Sequence, residues 1–163
     1  MKRNITYGLF ILLIAVIAVS CVRVNPQAED ADAALNYGKA LMNEGKTALA
    51  IVEFKKALAF FNEAGYTYSA FTVYPYIARG YYLSGNRDEA VEVYFEGLDF
   101  AANHLSEVRG TDIADTMREL AGLLVEAGRT DEARNLLMDA AEFYKKADNY
   151  EKFNEVTEQI NEL

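Results

Sequence analysis

An all-α fold, an α-solenoid of stacked helical hairpins, is predicted by two observations. One is a spaced pattern written three times in register; the other is a one-sided apolar stripe after the last copy. In each copy a glycine is followed five residues on by alanine, four further by a large apolar residue and three further by a small one: Gly45/Ala50/Phe54/Ala57, Gly85/Ala90/Tyr94/Gly97 and Gly128/Ala133/Leu137/Ala140. Upstream, Gly38, Ala78 and Ala121 stand seven before each glycine, Leu41, Tyr81 and Leu124 four before, and Tyr37, Ile77 and Leu120 eight before. Residues at these offsets share the inner faces of two antiparallel helices, where small ones let the axes approach and large ones fill the gaps. One such hairpin cannot bury its apolar side alone, and about three copies are needed for a stable stack.

The elements follow in chain order. The first hairpin is expected at 29–43 and 47–62, within a repeat over about 29–62. The second, over about 67–104, has a first helix ending near 84 and a second from 87; Pro75 is expected to kink or begin the first of these. The third, over about 112–146, runs 112–127 and then 131–146. Asp148 and Glu151 have capping-box spacing and open a final helix, 148–162, with Tyr150, Phe153, Val156 and Ile160 on one stripe. A helix apolar on one side only closes the exposed end of a repeat array.

The segments GKTALAIVEFKKAL, GNRDEAVEVYFEGL and GRTDEARNLLMDAA resemble the turn and second helix of the tetratricopeptide repeat (TPR), and the resemblance extends from about residue 31 to the C-terminus. Copies are spaced by 40 and then 43 residues, against about 34 in the basic family repeat. The resemblance therefore implies three TPR-like hairpins with extended helices plus a C-terminal capping helix. It also implies that the first helices line a concave protein-binding side, which holds Asn36, Lys39, Tyr76, Arg79, Tyr82, Arg118 and Glu119. Positive and neutral groups are expected to dominate there, with Lys39, Arg79 and Arg118 meeting an acidic segment of a partner. The positions that hold chaperone tails in some TPR proteins carry Leu35, Lys39, Tyr76, Asp115 and Glu119, which does not match that basic and asparagine set. Six of the 11 tyrosines fall between Tyr66 and Tyr82, so interface anchoring and packing against the lengthened helices are both open.

The N-terminus has the marks of an export signal. Lys2 and Arg3 precede the apolar run 9–19, and Ser20 and Cys21 follow. The quartet Ala18-Val19-Ser20-Cys21 resembles the bacterial lipobox, which implies lipidation at Cys21, a signal over 1–20 and a tether over 21–28. Cys21 is the only cysteine, so an intramolecular disulfide is excluded. Ordinary cleavage after Ser20 and an uncleaved anchor over 5–22 are the alternatives. The expected location is the bacterial cell envelope, with the chain lipid-anchored to a membrane.

Composition limits the chemistry. The formal charge is −9, and without residues 1–20 two basic residues are lost, giving −11. Such acidity disfavours nucleic acid, which needs clustered cations facing phosphate. There is no phosphate-binding loop, nucleophile elbow or metal-ligand spacing, and the single histidine, His104, is expected in a solvated loop. No catalytic residues, cofactor or metal are therefore expected. The sequence points to a non-enzymatic adaptor or assembly factor that binds protein, with a small-solute-binding accessory subunit as the alternative.

Overall fold

A computed structural model describes residues 26–163; the signal, Cys21 and most of the tether lie outside the described residues. Seven helices follow one another: α1 (Pro26–Asn43), α2 (Thr47–Glu63), α3 (Thr67–Leu83), α4 (Arg87–Ala102), α5 (Gly110–Glu126), α6 (Thr130–Lys146) and α7 (Tyr150–Glu162). The described residues contain no strand. Most helices have 16 or 17 residues, which gives the lengthened hairpins that the wide repeat spacing requires. Each helix packs on its sequence neighbours, and the stack is closed at one end by α7.

One turn design recurs five times. Gly45, Gly65, Gly85 and Gly128 have φ of 74°, 73°, 83° and 75°, the left-handed region that glycine enters without a Cβ penalty. This lets the chain fold back so that the following amide bonds to the last helical turn: Lys46 N–H donates to Leu41 O at 2.9 Å, Tyr66 to Phe61 at 2.9 Å and Arg129 to Leu124 at 2.8 Å. At the fifth turn Asp148 takes this role with φ 53°. The expected capping box is consequently not formed. Asn149 is the N-cap of α7, its side chain accepting from Lys152 N–H at 3.2 Å, and the helix begins at Tyr150 rather than 148.

Pro75 lies inside α3 instead of opening it. Its ring removes the N–H that would bond to the Phe71 carbonyl, yet the helix continues because Phe71, Val73, Ile77 and Ala78 are all held in the core. Between α4 and α5 the chain takes a longer loop, 103–109, which accounts for the wider second spacing. Val108 from this loop joins Phe71, Ala101 and Ile113 in a small core cluster of its own. These two helices meet less extensively than any other consecutive pair.

The repeat positions form the main core. Ala50, Ala90 and Ala133 are 0 % exposed, and Phe54, Tyr94 and Leu137 are buried beside them. The approach is closest where the small residue is glycine. A Cβ on Gly38 would lie 2.6 Å from the Phe54 ring, and one on Gly97 would lie 2.8 Å from Tyr74 Cβ. One repeat position departs from expectation: Ile77 and Leu120 are buried, whereas Tyr37 is 56 % exposed. In the later hairpins this position faces a preceding helix; among the described residues none precedes α1. Leu49 and Val52 of α2 are also exposed.

Gly97→Ala should lower stability by about 1–3 kcal/mol in urea unfolding, because the clash is with the Tyr74 Cβ, close to its backbone, and not with a flexible tip. Deleting residues 148–163 should uncover the face that Val156 and Phe153 cover and produce aggregation or a marked drop in melting temperature, read by light scattering and circular dichroism.

Candidate functional site

The odd-numbered helices share a face, and α3 is its centre. The residues from Val73 to Tyr82 alternate between core duty and this face: Ile77, Ala78 and Gly80 are buried, while Arg79 is exposed and Tyr76 and Tyr82 are half-buried. Between α1 and α3 lies a cleft of about 230 Å³ bordered by Lys39, Asn43, Tyr76 and Arg79 over Met42, Phe54 and Leu83. Between α3 and α5 lies another of about 310 Å³, where Tyr76 and Arg79 face Asp112, Asp115 and Glu119 across Pro75. A third, of about 240 Å³, joins Arg79 and Tyr82 to Tyr94, Glu119 and Leu123. Arg79 borders all three.

Tyr76 is less exposed than an interface anchor read from sequence would be. Its ring rests on Phe54 with centroids 5.4 Å apart, and Lys39 Nζ lies 4.6 Å from its centroid. The packing reading applies to this tyrosine: one ring face rests on Phe54, and the ring also holds Lys39 at the cleft edge. Tyr82 donates to Glu126 at 3.2 Å, and Arg87 stands 5.8 Å over its ring. Arg79 makes no hydrogen bond or ion pair within the described residues, although it is close enough to Tyr94 to affect it electrostatically.

On the α5 side the sign of charge differs from the positive surface anticipated. Arg118 pairs with Glu155 of α7 at 3.2 Å. Three carboxylates, those of Asp112, Asp115 and Glu119, border the α3/α5 cleft. Asp112 accepts from Tyr68 at 2.7 Å and from Arg109 Nε at 2.8 Å; Arg109 also contacts the Tyr68 hydroxyl. Asp115 accepts from Tyr144 at 2.6 Å and from Lys152 at 2.6 Å. Glu119 accepts from the Tyr94 hydroxyl at 2.7 Å. Of the seven groove residues read from sequence, Lys39, Tyr76, Arg79, Tyr82 and Glu119 border these clefts; Asn36 and Arg118 do not.

Lys152 and Glu155 escaped the sequence reading. Their signal was available in the i, i+3 spacing on the polar side of α7, which faces α5 once that helix caps the stack. His104 is half-buried rather than solvated: its ring stacks on Phe100 at 4.5 Å, and Nδ1 bonds to the Phe100 carbonyl at 2.8 Å. No group of three or more potential metal ligands occurs among the described residues, and no described helix is long and apolar enough to cross a membrane.

With this geometry in view, comparison with known proteins gives the class of fold. The TPR domain of Arabidopsis FLU superposes with a TM-score of 0.64 at 16% identity, over 74% of this chain and 99% of that one. The apo form of RapI gives 0.67 at 17%, over 98% of this chain and 60% of that one. BtubC (BKLC) from P. vanneervenii gives 0.62 at 13%, over 99% and 73%. The chain is thus an all-α solenoid similar to TPR proteins. No family model matches it, and no curated protein does.

The two buried tyrosine hydroxyls beneath the groove carry a pH signature. Burial first, and then the bond to Glu119, raises the Tyr94 pKa well above its usual 10.0. Burial and then Asp115 raise Tyr144 in the same way. A raised pKa keeps the neutral form in the fold, so the stabilisation is complete below about pH 10 and is lost as pH rises through and beyond that value. Alkaline titration followed by tyrosinate absorbance should show a group of tyrosines ionising only with unfolding. Tyr94→Phe with Tyr144→Phe should remove that group.

Proposed function

We propose that this chain is a bacterial envelope lipoprotein, anchored through Cys21, whose α1/α3/α5 groove binds a segment of a protein partner. One observation carries the groove reading. Arg79 is exposed at the junction of three clefts and has no carboxylate within ion-pair distance among the described residues, although the mature chain is strongly acidic. Acidic proteins readily pair their surface arginines, as Arg118, Arg109 and Arg129 are paired here. An arginine held beside tyrosines without such a partner is a ready contact for an incoming chain. The likeness to TPR solenoids supports an adaptor role rather than catalysis. The anchor reading rests on the basic, apolar and small-residue sequence that ends at Cys21.

For the groove, a photo-crosslinking phenylalanine analogue placed at Tyr82 should capture a discrete envelope protein in living cells. Arg79→Glu should abolish that product while leaving the circular dichroism spectrum and melting temperature nearly unchanged. Tyr76→Ala should also abolish it, but with a stability cost of about 1–3 kcal/mol, since the ring packs on Phe54. Capture from a residue on the opposite side, such as Glu92, with none from Tyr82 would place the partner elsewhere. For the anchor, mass spectrometry of the membrane-extracted protein should find acyl chains on an N-terminal Cys21. A free thiol there in a wild-type protein that stays in the aqueous phase would exclude lipidation.

A further inference from the structure

The two main clefts of the groove differ in charge: Arg79 borders both, but only one has carboxylates on its border. The α1/α3 cleft has two cations, Lys39 and Arg79, and no carboxylate on its border. Lys39 is fixed over the Tyr76 ring, and neither cation has an ion-pair partner among the described residues. The α3/α5 cleft is bordered by three carboxylates. Two of these already have a cation, Asp112 from Arg109 and Asp115 from Lys152. Glu119 has only the neutral Tyr94 hydroxyl. Charge without an ion-pair partner therefore remains at Lys39, Arg79 and Glu119, with Arg79 on the border of both clefts and the apolar surface of Pro75 and Tyr76 close by.

We propose that the groove recognises a bipolar extended peptide segment. An acidic side chain sits between Lys39 and Arg79, a basic side chain lies against Glu119, and apolar residues between them rest on Tyr76 and Pro75. Side chains three residues apart on an extended segment lie about 10 Å from each other. The proposed pattern is acid, two apolar residues, base. An all-acidic ligand meets Glu119 unfavourably and an all-basic one meets Lys39 and Arg79, so the pair of sites selects against both. This inference rests on the groove reading above and adds the chemistry of the partner to it.

The test uses the full chain in detergent and four end-blocked fluorescent tetrapeptides: Glu-Leu-Phe-Lys, Glu-Leu-Phe-Glu, Lys-Leu-Phe-Lys and Gln-Leu-Phe-Gln. By fluorescence anisotropy the first should bind about fivefold more tightly than any other, as expected for exposed charge pairs. Lys39→Glu combined with Arg79→Glu should move the preference to Lys-Leu-Phe-Lys, and Glu119→Lys should move it to Glu-Leu-Phe-Glu. Those exchanged rankings are gains of binding that a misfolded variant does not produce. Equal binding of all four peptides, binding of none, or rankings unchanged by the substitutions would overturn the bipolar assignment. If Glu-Leu-Phe-Glu ranks first with the wild type and only Lys39 and Arg79 matter, the groove reading stands and the bipolar one falls. Loss of crosslinking from Tyr82 is the separate result that would remove the groove itself.

Discussion

Close approach of helix axes at small residues is the constraint from which the rest of this structure follows. At Gly38, Gly80 and Gly97 a Cβ would come within 2.6 to 2.8 Å of a facing side chain, and buried alanines, Ala78 and Ala121 for Gly38 and Ala57 and Ala140 for Gly97, hold the equivalent places in other repeats. Because the backbones come so near, large residues such as Phe54 and Tyr94 have to fill the flanking space and cannot point outward. The same tightness fixes the rotation of each helix. Arg79 and Tyr82 are turned toward the groove because Ile77, Ala78 and Gly80 have no other way to pack.

The groove's electrostatics are a second consequence of that rotation. Most charged groups on this face are matched locally: Arg118 with Glu155, Asp115 with Lys152 and Asp112 with Arg109. Such matching is cheap on an acidic protein, since carboxylates outnumber cations. Among the charged groups that border the clefts, Lys39, Arg79 and Glu119 make no ion pair within the described residues. They lie where the helices leave space between them, and a side chain from outside can enter there.

The fold was largely legible in the sequence, because its determinants are local and repeated. The glycines at 45, 85 and 128 and their downstream alanines announce both the turn and the contact. Gly65 was legible too in retrospect. It stands midway between Gly45 and Gly85 and makes the same turn, but repeat-to-repeat comparison hides a feature that recurs at half the period. Asp148 was harder, since an aspartate before a helix is ordinarily a cap, and only the left-handed backbone shows that it replaces glycine. Pro75 misled for the same physical reason: its local preference to break a helix is overridden by the tertiary burial of the residues around it. The site was half legible. Face assignment from helical spacing found Lys39, Tyr76, Arg79, Tyr82 and Glu119, but spacing within one helix carries no information about charges that arrive from another. Asp112 across the cleft, the bonds that Asp115 accepts, and Lys152 and Glu155 from the cap became relevant only once α5 and α7 were in place.

The loop at 103–109 divides the stack into a four-helix part and a three-helix part that meet through a sparse seam with its own small core of Phe71, Ala101, Val108 and Ile113. The α3/α5 cleft spans that seam, with Arg79 and Tyr76 on one part and Glu119 on the other. A segment bound in that cleft would touch both parts and tie them together across the least extensive contact between consecutive helices. Separating the two parts would then require releasing that segment, so the seam would be harder to open when the cleft is filled.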